Sequence, residues 1–236
     1  IAVDLSDPEL AVSAINESED AGIPVLLYAS ADEAPEAGCK RTAFIGTNDN
    51  VGDAEALTAE ICKAIDDEGQ IAILSGTIGA ANHELRLDGF DSELAKHPNI
   101  EVVDSQRDED FVEKATQITE TFIQKYPDLK AILCNNMSNP VGAAVAVKDA
   151  GKTGKILIGA YDHDRRTLEA LKEGVIYCSV IQNCIDMGYW MVKTAVMMAD
   201  GLEPGADTYP EVYDTGSTII FQDDADEWIQ KLYAES

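Results

Sequence analysis

The sequence predicts an α/β fold in which parallel sheets are covered by helices on both faces, and three features of its 236 residues carry that expectation. Apolar strand-like runs alternate with segments of helical period from one end of the chain to the other. Glycines stand where helices should stop, at Gly22, Gly69, Gly151, Gly174 and Gly201. Hydrophobic residues make up 45% of the chain, enough for the core of one large domain or two smaller ones.

Taken in order, "IAVDLSDPE" reads as the end of a strand over 1–4 that passes directly into a helix over 7–21, with Asp7 as cap and Pro8 in the first helical position. A strand over 23–28 is joined to another over 42–46 by "ASADEAPEAGCKR", where no crossover helix is expected and the chain would change lobes. Helix 52–67, strand 70–75, helix 80–96, strand 99–103, helix 109–125 and strand 130–134 follow. Then come helix 140–150, strand 155–160, helix 164–173, strand 176–181, helix 185–200, a strand over 211–221 and a closing helix over 223–234. A chain that opens on Ile1 in mid-fold is expected to lack earlier elements.

Charge and cysteine usage narrow the function. With 44 acidic against 17 basic residues the net charge is −27, a field that repels phosphate backbones and anionic membrane surfaces, so no nucleic-acid partner is expected. Cys39, Cys62, Cys134, Cys178 and Cys184 show no metal-ligand spacing, and an odd number leaves at least one unpaired. Cys134 and Cys178 lie in apolar runs and read as small buried hydrophobes. No apolar stretch reaches the ~18–20 residues of a membrane span, and the amino end shows no secretion signal.

In such a fold ligands bind beyond the carboxyl ends of the strands, so the residues to inspect are those that follow each strand. They are Ala29 and Ser30; Thr47, Asn48 and Asp49; Thr77, Asn82 and Glu84; Asn135 and Asn136; Asp162 and His163; Gln182 and Asn183. Amides donate and accept and a carboxylate accepts twice, a set suited to a neutral polyhydroxylated ligand. Taken singly, Asn136 or Asp162 could merely cap the next helix. "GKTGK" at 151–155 has Ala146 where a phosphate loop needs glycine, and "SGTIGAANHE" lacks the third glycine of a dinucleotide fingerprint. His83, His97 and His163 form no i, i+4 pair, "YDHD" offers adjacent ligands that rarely converge, and no nucleophile with its base is evident. Neither cofactor, metal site nor catalytic residue is expected.

"AGIPVLLY", "AFIGTNDN", "GQIAILSGTIGAANHELRLDGF", "YPDLKAILCNN", "VGAAVAVKDAGKTGKILIGAYDHD", "VIQNCIDMGYWMV" and "YDTGSTII" come in an order and spacing that resembles the ribose-binding-like substrate-binding proteins. The resemblance covers essentially the whole chain. It implies a type I periplasmic binding protein fold, two Rossmann-like lobes joined by a three-strand hinge and clamping the ligand between them. The lobes would be 1–47 with 183–213, incomplete at its amino end by about two strand-helix units, and 48–182 with 214–236. Crossings would fall near Thr47 to Asn48, Gln182 to Asn183 and Asp214 to Gly216.

The family's ligand positions map onto Ser30, with Ala29 before it, and onto Glu84, Asn136, Asp162 and Gln182. Asn136 would cap its helix loosely if at all and mainly reach the ligand. Three departures stand out: Ala29 where relatives carry aspartate, Glu84 where ribose binders carry arginine, and Met137 where aspartate commonly follows the asparagine. The resemblance implies a non-enzymatic receptor for a small neutral sugar or polyol. It would be periplasmic or extracellular, with or without a lipid anchor, and would feed an ABC-type permease. The alternative is an effector-sensing domain of a lactose-repressor-like regulator or a sensor protein, and upstream sequence would part the two.

Overall fold

A computed structural model describes residues 1–4, 8–29, 32, 38–205 and 207–233, with side chains in the first helix described from residue 11. In chain order the elements are β1 (Ala2–Asp4), α1 (Pro8–Asp20), β2 (Leu26–Ala29), β3 (Ala43–Gly46), α2 (Asn50–Ala64), β4 (Gly69–Ser75), α3 (Ala81–Leu94) and β5 (Ile100–Arg107). They continue with α4 (Val112–Lys125), β6 (Leu129–Cys134), α5 (Ser138–Asp149), β7 (Leu157–Tyr161), α6 (Arg165–Lys172), β8 (Cys178–Gln182), α7 (Cys184–Ala199), β9 (Val212–Asp214), β10 (Ser217–Phe221) and α8 (Ala225–Tyr233). The chain divides into two compact units. One is Ile1–Asn50 with Gly79–Asn82 and Gln182–Ser217; the other is Val51–Ile78 with His83–Ile181 and Thr218–Ser236.

The first unit is built on a parallel sheet of order β1-β2-β3-β9. The two-residue period of a strand sorts its side chains by face. Leu27 and Phe44 pack with Ile15 of α1, whereas Leu26 and Ile45 pack with Met187 of α7 and Tyr209. Asp7, proposed from sequence as the cap of α1, lies outside the described residues.

The second unit has a six-stranded sheet of order β10-β8-β7-β6-β4-β5, parallel from β8 through to β5. Its inner strands are buried on both faces, so they read as unbroken apolar runs such as "AILC". Ala72, Ile132 and Ile158 face Phe122 of α4, Val147 of α5 and Leu171 of α6. Ile71, Ile73 and Leu133 face Leu57 and Ile61 of α2 and Phe90 of α3. Cys134 and Cys178 are buried within these two cores, as the sequence suggested.

Several boundaries differ from the sequence reading. The strand expected over 211–221 is two: Gly216 takes φ +69° and donates its N–H to Asp214 Oδ1 at 2.9 Å, a turn that ends β9 in one sheet before β10 begins in the other. Gly69 does not stop a helix but opens β4; α2 is ended by Asp66 and Asp67, both left-handed, with Asp67 N donating to Cys62 O at 2.9 Å. β5 runs four residues beyond the expected 103, to Arg107, and α4 starts at Val112 rather than 109. Among the described residues no helix is long and apolar enough to cross a membrane.

Candidate functional site

Parallel strands deliver their carboxyl-end loops to one edge of the sheet. In the second unit those loops are Ser75-Gly76-Thr77 after β4, Asp108-Glu109-Asp110 after β5, Asn135-Asn136 after β6 and Asp162-His163 after β7.

Asn135 is wholly buried and joins its own loop to the loop after β4 and to α3. Its Oδ1 accepts from Gly76 N (3.2 Å), and its Nδ2 donates to Ser75 Oγ (2.9 Å) and to the His83 carbonyl in the first turn of α3 (3.0 Å). Asn139 supports it from below. The Asn139 Oδ1 accepts from the main-chain N–H groups of Asn135 (3.0 Å) and Asn136 (3.2 Å), and its Nδ2 donates to Asp108 Oδ2 at 2.6 Å. Burial raises the pKa of Asp108, and the Asn139 hydrogen bond opposes that rise.

Asn136 caps α5 firmly, contrary to the loose cap expected. Its Oδ1 accepts from Asn139 N (2.8 Å) and Ser138 Oγ (3.2 Å), satisfying donors of the first turn. Its Nδ2 donates to Asp110, whose other oxygen accepts from Thr77 Oγ1 (2.5 Å) and Thr77 N (3.3 Å). The two asparagines thus divide the work: Asn135 holds loops together, and Asn136 sets a helix and a carboxylate.

All of this closes over Gly76. A Cβ there would run into Asn136 Nδ2, Asp110 Oδ1 and His83 Cε1, so three side chains from three different elements converge on the one residue without a side chain. His83 is only 8% exposed, and burial lowers its pKa against the pull of Asp110. Arg86, fully buried, donates to the Asn135 carbonyl at 2.8 Å and lies 4.1 Å from the Tyr161 ring centre, a cation over an aromatic face.

Glu84 is gripped by Arg107, whose two terminal nitrogens donate to its two oxygens at 2.8 Å each. Asp162 sits at φ +71°, its main chain fixed by Asp162 N to Val180 O and by Ser179 Oγ to Asp162 O, both 2.8 Å. It is not the cap of α6; that is Asp164, which accepts from Arg166 N at 2.8 Å. Gln182 ends β8 and belongs to the first unit, with its buried Nε2 lacking a hydrogen-bond partner among the described residues. Ser30 lies outside the described residues.

Of the sequence-proposed residues, the second unit therefore brings Glu84, Asn136 and Asp162 to one sheet edge. Sequence reasoning missed Arg107, Asp108, Asp110 and His83, together with the exposed apolar residues that follow these loops: Ile78, Met137 and Phe111, the last 60% exposed. The alternating polar run "DSQRDED" was the signal for an edge strand ending in a polar loop. Among the described residues no group of three or more His, Cys, Asp or Glu could hold a metal ion.

Comparison with known proteins matches this architecture. The family described as periplasmic binding protein domain matches residues 1–203. The D-allose-binding periplasmic protein of Escherichia coli K12 is 31% identical over 196 residues, which is 81% of this chain; the chain spans 62% of that protein's length. Two solved structures superpose with a TM-score of 0.86 at 26% identity. One is an ABC transporter solute-binding protein from Bacillus halodurans C-125 with bound myo-inositol, which covers 98% of this chain and is itself covered to 77%. The other, from Agrobacterium vitis with bound α-D-tagatopyranose, covers 100% of this chain and is covered to 80%. The chain belongs to the periplasmic binding protein domain family.

Proposed function

We propose that the chain is part of the solute-binding receptor of an ABC-type uptake system for a small sugar or polyol, working outside the cytoplasm. The observation that carries this is the sheet edge of the second unit, where amides and carboxylates that follow β5 and β6 lock one another and the loop after β4 around Gly76. A site whose polar groups are already oriented loses little freedom when it meets a hydroxylated guest. Glu84, Asn136 and Asp162 are the proposed ligand contacts here, and Ser30 and Gln182 those of the first unit. Phe111 offers an aromatic face to the C–H side of a sugar ring, which suits a ligand with one apolar and several polar faces. The relatives named above, whose own names carry allose, inositol and tagatose, support the class.

The lobe boundaries 1–47 with 183–213 and 48–182 with 214–236 belong to the same proposal. A ligand that binds only the folded state stabilises it by mass action. Thermal unfolding of the purified protein against a panel of monosaccharides and polyols should therefore reveal at least one that raises Tm, by several degrees at about a hundredfold excess over Kd. A panel that shifts nothing removes the reading.

A further inference from the structure

We propose that the edge around Gly76 selects, among polyols and sugars, for one that carries an amino group, with His83 as the residue that reads it. This rests on the receptor reading above and narrows its ligand class.

The argument starts from the kinds of polar atom that remain. Asn136 has spent its carbonyl oxygen on the cap of α5 and donates its amide to Asp110. Asn135 and Asn139 are used within the fold on both sides of their amides. Beyond the second N–H of the Asn136 amide, what is left over is acceptor. His83 is more than nine-tenths buried, its Nδ1 has no hydrogen-bond partner among the described residues, and burial lowers the pKa of the ring, favouring its neutral form. The Thr77 main chain lies within hydrogen-bonding reach of the ring; with the ring N–H turned to it, Nδ1 is an acceptor. Asp162 accepts no hydrogen bond at its carboxylate from the described residues, and its charge, like that of Asp110, is close enough to act on the His83 ring. Among the described residues the positive group that acts on the ring is Arg86, and it is committed to the Asn135 carbonyl and to the Tyr161 face.

The remaining valences around His83 are thus mostly acceptors, an imidazole nitrogen and carboxylate oxygens, beside the second N–H of the Asn136 amide, which can still donate to a ligand hydroxyl. A hydroxyl brings one proton to such a set and adds lone pairs that face other lone pairs. An ammonium group brings three N–H donors, no acceptor and a positive charge. A buried acceptor that lacks a donor in the protein is one that a guest can satisfy. At longer range the net charge of −27 works in the same direction, drawing cations rather than anions toward the molecule. Arg107, the cation that could have greeted an anionic sugar, is occupied by Glu84.

The test is isothermal titration of the purified protein at pH 7 with matched pairs: glucose and glucosamine, galactose and galactosamine, myo-inositol and an amino-deoxy-inositol. At least one amino member should bind about tenfold tighter than its neutral partner, the gain of a charge-assisted over a neutral hydrogen bond. In His83→Leu that ratio should collapse toward one while the neutral partner changes less. Asp162→Asn gives an independent reading should His83→Leu unfold, and it too should lower the ratio. If the neutral member binds as well or better in every pair, or if both variants leave the ratio untouched, the amino preference is overturned and the receptor reading survives. If no member of any pair binds, both are overturned.

Discussion

The two sheets finish their strands in different ways. In the first unit the carboxyl edge is tied chiefly by main chain to main chain, Thr47 N to Ala29 O at 3.0 Å, Thr215 N to Gly46 O at 2.9 Å and Asn183 N to Gly216 O at 3.3 Å, with the Asp214 carboxylate as the main side-chain tie among the described residues. Gly46 makes this possible, since a Cβ there would run into the Ala29 carbonyl. In the second unit the corresponding edge is tied by side chains, through Asn135, Asn136, Asn139, Asp108 and Asp110. Main-chain ties need only space and the right glycine. Side-chain ties need particular amides and carboxylates, and the same groups that hold the loops also set which atoms are left to face a ligand. Structure and recognition are therefore separable at one edge and fused at the other.

The largest expected effect follows from that fusion. Asn135→Ala removes three hydrogen bonds in a fully buried place and strands Gly76 N without its partner, so it should destabilise the protein by about 3 kcal/mol. Urea denaturation followed by circular dichroism would read it. A loss below about 1 kcal/mol would mean that water replaces the amide and that the second edge is no more dependent on side chains than the first. Gly46→Ala is the matching test at the first edge and should cost about 1–3 kcal/mol by overpacking, with no amide lost. Should it prove neutral, the Ala29 segment moves aside and the main-chain tie is soft.

Next in size is an acid-sensitive contact at the edge strand β5. Hydrogen bonds from Gln106 (2.8 Å), Lys125 (3.0 Å) and Tyr126 (2.9 Å), that of Gln106 foremost, hold the Asp104 pKa down at about 2. The unfolded chain should titrate near the ordinary aspartate value, about 3.9. Because the folded pKa is the lower one, the contact stabilises above about pH 4 and its contribution is lost as pH falls toward about 2. Asp104→Asn should thus be less stable than the parent at neutral pH, with the difference closing over that window. A difference that stays constant from pH 6 to pH 2 would rule the contact out.

Legibility in the sequence followed the same division. The parallel strands of the inner sheet were visible because "IAILS" and "AILC" are buried on both faces and must be apolar throughout. β5 was cut short at 103 because it is the edge strand: its exposed positions are polar but for Val102, and its last residues look like loop. Losing that strand end lost Arg107, Asp108 and Asp110 with it. The single strand expected over 211–221 failed at Gly216, where a turn of two residues sends one apolar run into two sheets. Asn136 was placed correctly at its strand end, yet hydrophobic period says nothing of whether an amide faces a helix or a guest. Asn135, its neighbour, was visible only as polar.

The smallest perturbation, a thiol label, sharpens the comparison of the two units. Cys184 is exposed at the start of α7, whereas Cys39, Cys62, Cys134 and Cys178 are buried. Burial raises the pKa of all four, that of Cys62 to about 12, so none offers thiolate at pH 8 while the protein is closed. A thiol reagent should therefore label one cysteine at once and the others only through opening of the structure. Cys39 belongs to a small core with Ile15, Val25, Leu27 and Phe44, while the other three lie in the two large cores of the second unit. Less apolar surface must be exposed to open the first, so Cys39 should label second, ahead of Cys62, Cys134 and Cys178, whose rates should cluster together. Mass spectrometry of labelled peptides gives the order directly. Were Cys39 to label along with the other three, the two units would open as one, and the difference between their edges would have no consequence for stability.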